Sequence, residues 1–163
     1  MIKISKSINL LEKYVQKPTK GLPEDIFYFV GRLTPYINVD LIIRCPINGV
    51  LLTWRNDKFS GKGWHIPGGI IRFKEKIKER IKKVGINELG IKINNFEGPV
   101  EINEIIVNQK ERSHFISLLF ECFIQKKEKK KLNEIIKKNK NMKFFKKKPK
   151  KFLKIQEIYK DYF

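Results

Sequence analysis

The sequence predicts an α+β protein, an α/β/α sandwich built around a mixed β-sheet. Three observations lead there. Runs rich in β-branched and aromatic residues recur with turn signals between them. A helical stretch opened by Pro67-Gly68-Gly69 stands among those runs, with strands on both sides. Apolar residues at helical spacing occupy both ends of the chain. The 163 residues suit one domain, 1–163, with one sizeable core. Within it, 1–22 reads as an N-terminal helix and loop, and 125–163 as a Lys-rich helical extension.

Each element has its own signal. Ile8, Leu11, Tyr14 and Val15 predict an amphipathic helix over 5–17. "KPTKGLP" is a loop punctuated by glycine and two prolines. "PEDIFYFVGRL" opens a second helix, with proline followed by two acids. "INVDLIIRC" and "GVLLTWRN" are strands separated by "PING", a hairpin turn. "NDKFSGKG" reads as a polar loop. A helix from about Glu75 to Leu89 follows, turning Ile77, Ile81, Val84 and Leu89 to a core. "VEINEIIVNQ" and "HFISLLFECFI" make two more strands, linked by the charged turn "KERS". A short helical pattern holds Leu132, Ile135 and Ile136, and "FLKIQEIYKDYF" carries a final one. No internal repeat is visible.

Composition narrows the function. No apolar run reaches the roughly 18 residues that cross a membrane, and "MIKISKSINLLEKYVQK" lacks the pattern of a secretory signal. Cys45 and Cys122 sit in apolar strands and read as buried thiols, neither a disulfide framework nor a zinc site. A reducing cytoplasm is the expected location. The net charge of +19 needs discounting, because 30 of the 36 basic residues are Lys and six are Arg. Abundant Lys, Ile and Asn point to AT-rich coding, and phosphate-reading patches favour the planar fork of Arg. Nucleic-acid and membrane partners are therefore not expected. The 16 Lys of the last 39 residues read as solvated faces. Each of the six arginines gains interest, since Lys would have been the easy replacement.

The stretch "WHIPGGIIRFKEKIKERIKKVGINELGI" carries the chemistry. Gly68 and Gly69 let backbone approach a ligand closely. Positions 84 and 88 lie one helical turn apart, so two carboxylates there would converge on one divalent ion. Here Val84 occupies the first position and only Glu88 remains acidic. Mg²⁺ can still bind through one or two protein oxygens, with substrate phosphates and water completing its shell.

This stretch resembles the Nudix hydrolase signature, Gly-x5-Glu-x7-Arg-Glu-apolar-x-Glu-Glu-x-Gly-apolar. Gly69 begins it and Glu75 follows six residues later. Lys83 stands at the Arg place, Val84 and Asn87 at two Glu places, and Gly85 at the apolar one. Glu88, Gly90 and Ile91 restore the pattern. The resemblance is nearest to GDP-mannose mannosyl hydrolases, a branch that also lacks these two glutamates. "EDIFYFVGRLTPYINVDLIIR", "LLTWRNDKFSGKGWHIPGG" and "SHFISLLFECF" extend the likeness over about residues 22–124.

The resemblance implies a Nudix-type sandwich and an enzyme dependent on Mg²⁺, with Mn²⁺ as the substitute. It would cleave a nucleoside-diphosphate sugar at the anomeric carbon, giving nucleoside diphosphate and free sugar. A homodimer is implied as well. Glu88 would hold the metal, aided by the Gly68 carbonyl and Glu75. Asp40 and Arg55 would contact substrate, and His114 would lie near the diphosphate; Trp64, read as a residue apart from the resemblance, is a candidate to stack on a base. Lys83 would supply positive charge, and Arg72 would replace an arginine missing at Ile70. Each has a plainer reading: Asp40 an edge-strand acid, Arg55 a solvated strand end, His114 and Trp64 packing residues. His65 reads as structural. The branch takes its general base from a late histidine, whereas this chain has only His65 and His114, with Phe145 and Gln156 near that place. Glu101 or Glu104 would have to serve. The alternatives are attack on phosphorus, with Glu75, Glu79 or a strand glutamate as base, and a binding module without catalysis.

Overall fold

Residues 3–163 are described by a computed structural model. α1 (Ile4–Tyr14) gathers Ile4, Ile8 and Leu11 on one side, yet buries none of its residues. It ends before the expected 17 because Pro18 disfavours a helical Lys17; a 3₁₀ turn, Pro18–Lys20, follows. α2 (Glu24–Gly31) has Glu24 and Asp25 in its first turn, where acids suit the helix dipole.

The sheet then forms: β1 (Tyr36–Cys45), β2 (Gly49–Asp57), β3 (Gly61–His65), β4 (Gly68–Ile70), β5 (Asn95–Ile106), β6 (His114–Phe123) and β7 (Met142–Phe145). Its order is β3-β2-β1-β6-β5, with β4 on β1 and β7 on β2. β1 and β6 run parallel, and the remaining pairs are antiparallel. Along one edge β1 changes partner. Arg44 and Cys45 face β2, whereas Asn38, Val39 and Asp40 face β4. The sheet splits at that point, and the cavity described below opens there.

Alternation along β1 sends Val39, Leu41 and Ile43 to one face and Asn38, Asp40 and Ile42 to the other. α3 (Ile77–Leu89) and α4 (Lys126–Lys138) cover the first face through Ile81, Val84, Leu89 and Leu132. The second face is closed by Phe152 and Tyr159, from the chain's end, packed on Ile42, Val50, Leu52 and Leu119. The terminal 3₁₀ segment, Lys154–Tyr162, runs along that face. The mixed sheet with flanking helices is an α+β fold. Among the described residues no helix is long and apolar enough to cross a membrane. Cys45 and Cys122 are free and buried.

The structure departs from the sequence reading in other places as well. "NDKFSGKG" is a hairpin, because the Asp57 carboxylate accepts hydrogen bonds from the Phe59 and Ser60 amides at 2.9 and 2.7 Å. β5 begins at Asn95, five residues before Val100, and passes an irregularity between Glu97 and Glu101. β7 lies within a Lys-rich segment in which no strand was expected. Ile77 is exposed at the start of α3, so the core stripe is Ile81, Val84 and Leu89. That helix ends at Gly90, whose φ of 69° is the left-handed cap that glycine supplies at least cost.

Candidate active site

A cavity of about 850 Å³ opens where β1 leaves β2, within the size range of small-molecule sites. β1 contributes Asn38 and Asp40, β2 Arg55, and β4 Gly68 and Gly69. The 3₁₀ end contributes Gln156, whose Oε1 accepts from the Ile66 amide at 2.5 Å. Of the six arginines, Arg55, Arg72, Arg80 and Arg112 line it. Asp40 is the one carboxylate in that wall. The lining thus carries more cationic than anionic side chains.

Asp40 is 4% exposed. Its Oδ2 accepts from Ser117 Oγ at 2.6 Å and from Tyr159 OH at 2.7 Å. Burial raises its pKa, against the pull of Ser117, Tyr159, Asn38 and Arg55. Gly68 must be glycine, because a Cβ there would sit 2.1 Å from Asp40 Oδ1. Behind Gly68 lies Glu88, whose carboxylate takes a hydrogen bond from the Gly68 amide. Burial pushes Glu88 up to about 7, opposed by Arg55 and by that amide, and the Asp40 charge adds to the rise.

The Asp40 charge opposes ionisation of Glu88, and a cation beside Glu88 would relieve it. Glu88, the Gly68 backbone and Asn38 Oδ1, which is buried without a hydrogen-bond partner among the described residues, are all hard oxygen donors. That set fits Mg²⁺. No three His, Cys, Asp or Glu side chains gather among the described residues, so substrate oxygens and water would complete the shell.

Other expected site residues are placed differently. Glu75, 3% exposed in its side chain, is held by Arg80 Nη2 at 2.6 Å and Lys83 Nζ at 2.7 Å. The Arg72 amide also donates to it, at 3.0 Å. Burial works against its ionisation, but Lys83, the Arg72 amide and Arg80 outweigh burial and bring it down to about 2. With both oxygens engaged by cations, Glu75 is a brace for the start of α3, and Lys83 is its partner. Arg72 lines the cavity but donates Nη1 to the Lys20 carbonyl, which ties down the N-terminal loop.

His114 and Glu104 pair with each other, Nε2 to Oε1 at 3.1 Å. The register shows why they miss the cavity. Phe115 and Ile105 are opposite one another and line it, so their neighbours His114 and Glu104 point to the other face. Trp64 packs edge-on against Trp54 and Phe145 at 5.3 and 4.9 Å and is outside the cavity lining. Its neighbour His65 faces inward, buried, with ring nitrogens 3.0 Å from Thr53 Oγ1 and 2.8 Å from the Ile66 carbonyl. Burial, then the Arg55 charge, lowers it to about 3, so it stays neutral.

Sequence reasoning missed Asn38, Ser117, Tyr159, Gln156, Arg80 and Arg112. Ser117 had a signal, as a polar residue in the middle of an apolar strand. Arg80 and Arg112 had one in being Arg within a Lys-biased chain. Gln156 had only its place near the branch's late histidine and Tyr159 had none, because only the return of the chain's end brings them to Ile66 and Asp40.

No protein-family model matches the chain. Low-salt glycan biosynthesis protein Agl8 of Haloferax volcanii is 28% identical over 111 residues, 64% of this chain and 69% of that protein. A MutT NUDIX hydrolase from Burkholderia pseudomallei superposes with a TM-score of 0.51 at 18% identity, over 56% of this chain and 68% of the other. NrtR of Shewanella oneidensis superposes with a TM-score of 0.54 at 14% identity, over 68% of this chain and 51% of its own. At such identities the likeness is one of architecture, and in architecture the chain is a Nudix fold.

Proposed function

We propose that the protein is a Mg²⁺-dependent hydrolase of a nucleoside-diphosphate sugar, cleaving the glycosyl C–O bond. The observation that carries this reading is the arginine-rich cavity lined by Asp40 and Gly68, with Glu88 held behind that wall by the Gly68 amide. Diphosphate would meet Arg55 there. Glu88 and the Gly68 carbonyl would hold the metal, which when bound offsets the charge of the departing diphosphate.

Asp40 takes the role that sequence reasoning gave to a glutamate of β5. It is the carboxylate in the cavity wall, and burial raises its basicity. It accepts a proton from water as the water oxygen bonds to the anomeric carbon and the C–O bond to diphosphate breaks. Ser117 and Tyr159 fix its orientation through Oδ2. Attack on phosphorus has less support. Its candidate bases are Glu75, neutralised by Arg80 and Lys83, Glu79, which is exposed, and a strand glutamate such as Glu104, which pairs with His114 away from the cavity.

The test is product identity. Incubation with GDP-mannose, GDP-glucose and ADP-ribose plus Mg²⁺ is expected to give nucleoside diphosphate and free sugar from a preferred substrate. Nucleoside monophosphate and sugar phosphate would overturn carbon attack, and binding without turnover would leave a recognition module. Glu88→Gln is expected to abolish turnover, and Asp40→Asn to lower it by about 10²–10⁴.

The reading includes a homodimer in the cytoplasm. Two apolar surfaces stand uncovered in support: the Ile4, Ile8 and Leu11 face of α1, and Ile37, Ile102 and Ile106 on the sheet. The unpaired buried thiols suit a reducing compartment. Sedimentation at micromolar concentration checks the oligomer, and a monomer would count against it.

A further inference from the structure

The turn between β5 and β6 places a cation in the cavity that has no role so far. Arg112 adopts a φ of 52°, a left-handed conformation uncommon outside glycine. The turn is tied around it. Val107 N–H donates to the Ser113 carbonyl at 2.7 Å, and Gln109 Nε2 donates to the Arg112 carbonyl at 2.8 Å. Glu111, next to it, pairs with Arg32 at 3.6 Å. These contacts hold the Arg112 guanidinium over the Phe59 ring, 5.2 Å from its centroid.

The guanidinium itself makes no ion pair among the described residues, although the Asp57 charge acts on it from a distance. Among the described residues no carboxylate lies within ion-pair distance of it, and its Nε is buried with no hydrogen-bond partner. Buried charges are ordinarily paired, and an unpaired one is costly. Burial lowers the Arg112 pKa, and after burial the Arg55 charge lowers it further. Asp57, paired with Arg55 at 3.5 Å, partly offsets both charges, but it stands outside the cavity lining and makes no ion pair with Arg112, so both arginines still present charge to the cavity.

We propose that Arg112 closes with Arg55 on the diphosphate of the ligand, taking the place that the Nudix resemblance gave to His114. This inference rests on the proposed function and names a residue that reads the same site. His114 is two positions further on and faces the other side of the sheet, paired to Glu104. Arg112 reaches the cavity from the turn just before it. A guanidinium can make paired hydrogen bonds to phosphate oxygens, which an imidazole cannot. The stacked rings of Phe27 and Tyr36, centroids 4.6 Å apart, line the same cavity and leave its apolar wall to the rest of the ligand.

The experiment is calorimetric titration of the full chain with Mg²⁺ and inorganic pyrophosphate, and separately with nucleosides. Arg112→Met is expected to weaken pyrophosphate binding about 10–100-fold. His114→Gln should change it less than twofold, and thermal melting confirms that each variant is folded. Arg112→Lys, which keeps charge and loses the fork, is expected to recover part of the loss. It also serves as the reading should Arg112→Met not fold. Pyrophosphate affinity unchanged in Arg112→Met, or a loss equal for nucleosides and pyrophosphate, would overturn the inference while sparing the proposed function. Failure of the wild type to bind any diphosphate would overturn both.

Discussion

At the scale of single residues, ion pairs and hydrogen bonds divide this molecule's acids into separate jobs. Glu75 is a stabilising acid. Its pKa is depressed from 4.5 to about 2 in the folded state, so it contributes stability above the unfolded value. That contribution is lost as pH falls from about 4.5 toward 2, and amounts to about 3 kcal/mol for such a shift. Glu75→Gln is therefore expected to lower stability at pH 7 by about 2–3 kcal/mol and to flatten the acid limb of urea stability against pH. Asp40 behaves in the opposite sense, since burial raises its pKa and donors restrain the rise. Tyr159→Phe removes one donor. It should cost about 1–2 kcal/mol and move the acid limb of the activity profile to higher pH, because the base then protonates sooner. A profile that stays in place would argue against Asp40 as base.

Elements differ in how much the rest of the chain holds them. α1 buries no side chain, so deleting residues 1–14 is expected to change monomer stability by less than about 1 kcal/mol. If the apolar face of α1 serves the dimer, the same deletion should shift sedimentation toward monomer. Both readings come from one protein sample. α3 was legible in outline, because Ile81, Val84 and Leu89 recur at helical spacing and bury as expected. Its start was not, because the position of Glu75 is set by Arg80 and Lys83 rather than by a local capping preference. β7 was hidden for a similar reason. It pairs with β2, Val50 to Phe145 through Thr53 to Met142, and four residues among lysines carry too little pattern to announce a strand.

For the whole molecule, the chain's end completes the fold. Phe152 and Tyr159 seal one face of the sheet, and Gln156 reaches the Ile66 backbone. Truncation after Lys151 is expected to destabilise the protein by more than about 3 kcal/mol, given two large buried aromatics lost. It should also abolish pyrophosphate binding, since one wall of the cavity goes with it. Urea unfolding and titration check the two effects separately.

The sequence by itself determined the α+β class and the strand–glycine–helix unit that sets Gly68 beside Glu88. Those follow from local periodicity, turn chemistry and spacing, which act between near neighbours. It also singled out Asp40 and Arg55, which the cavity brings together. Only the tertiary structure decided which way β5 and β6 face, and so removed Glu104 and His114 from the cavity and brought in Arg112. Only it joined Tyr159 to Asp40, 119 positions away. Strand register and the path of the chain's end are chosen by global packing, because one step of register turns every side chain to the opposite face.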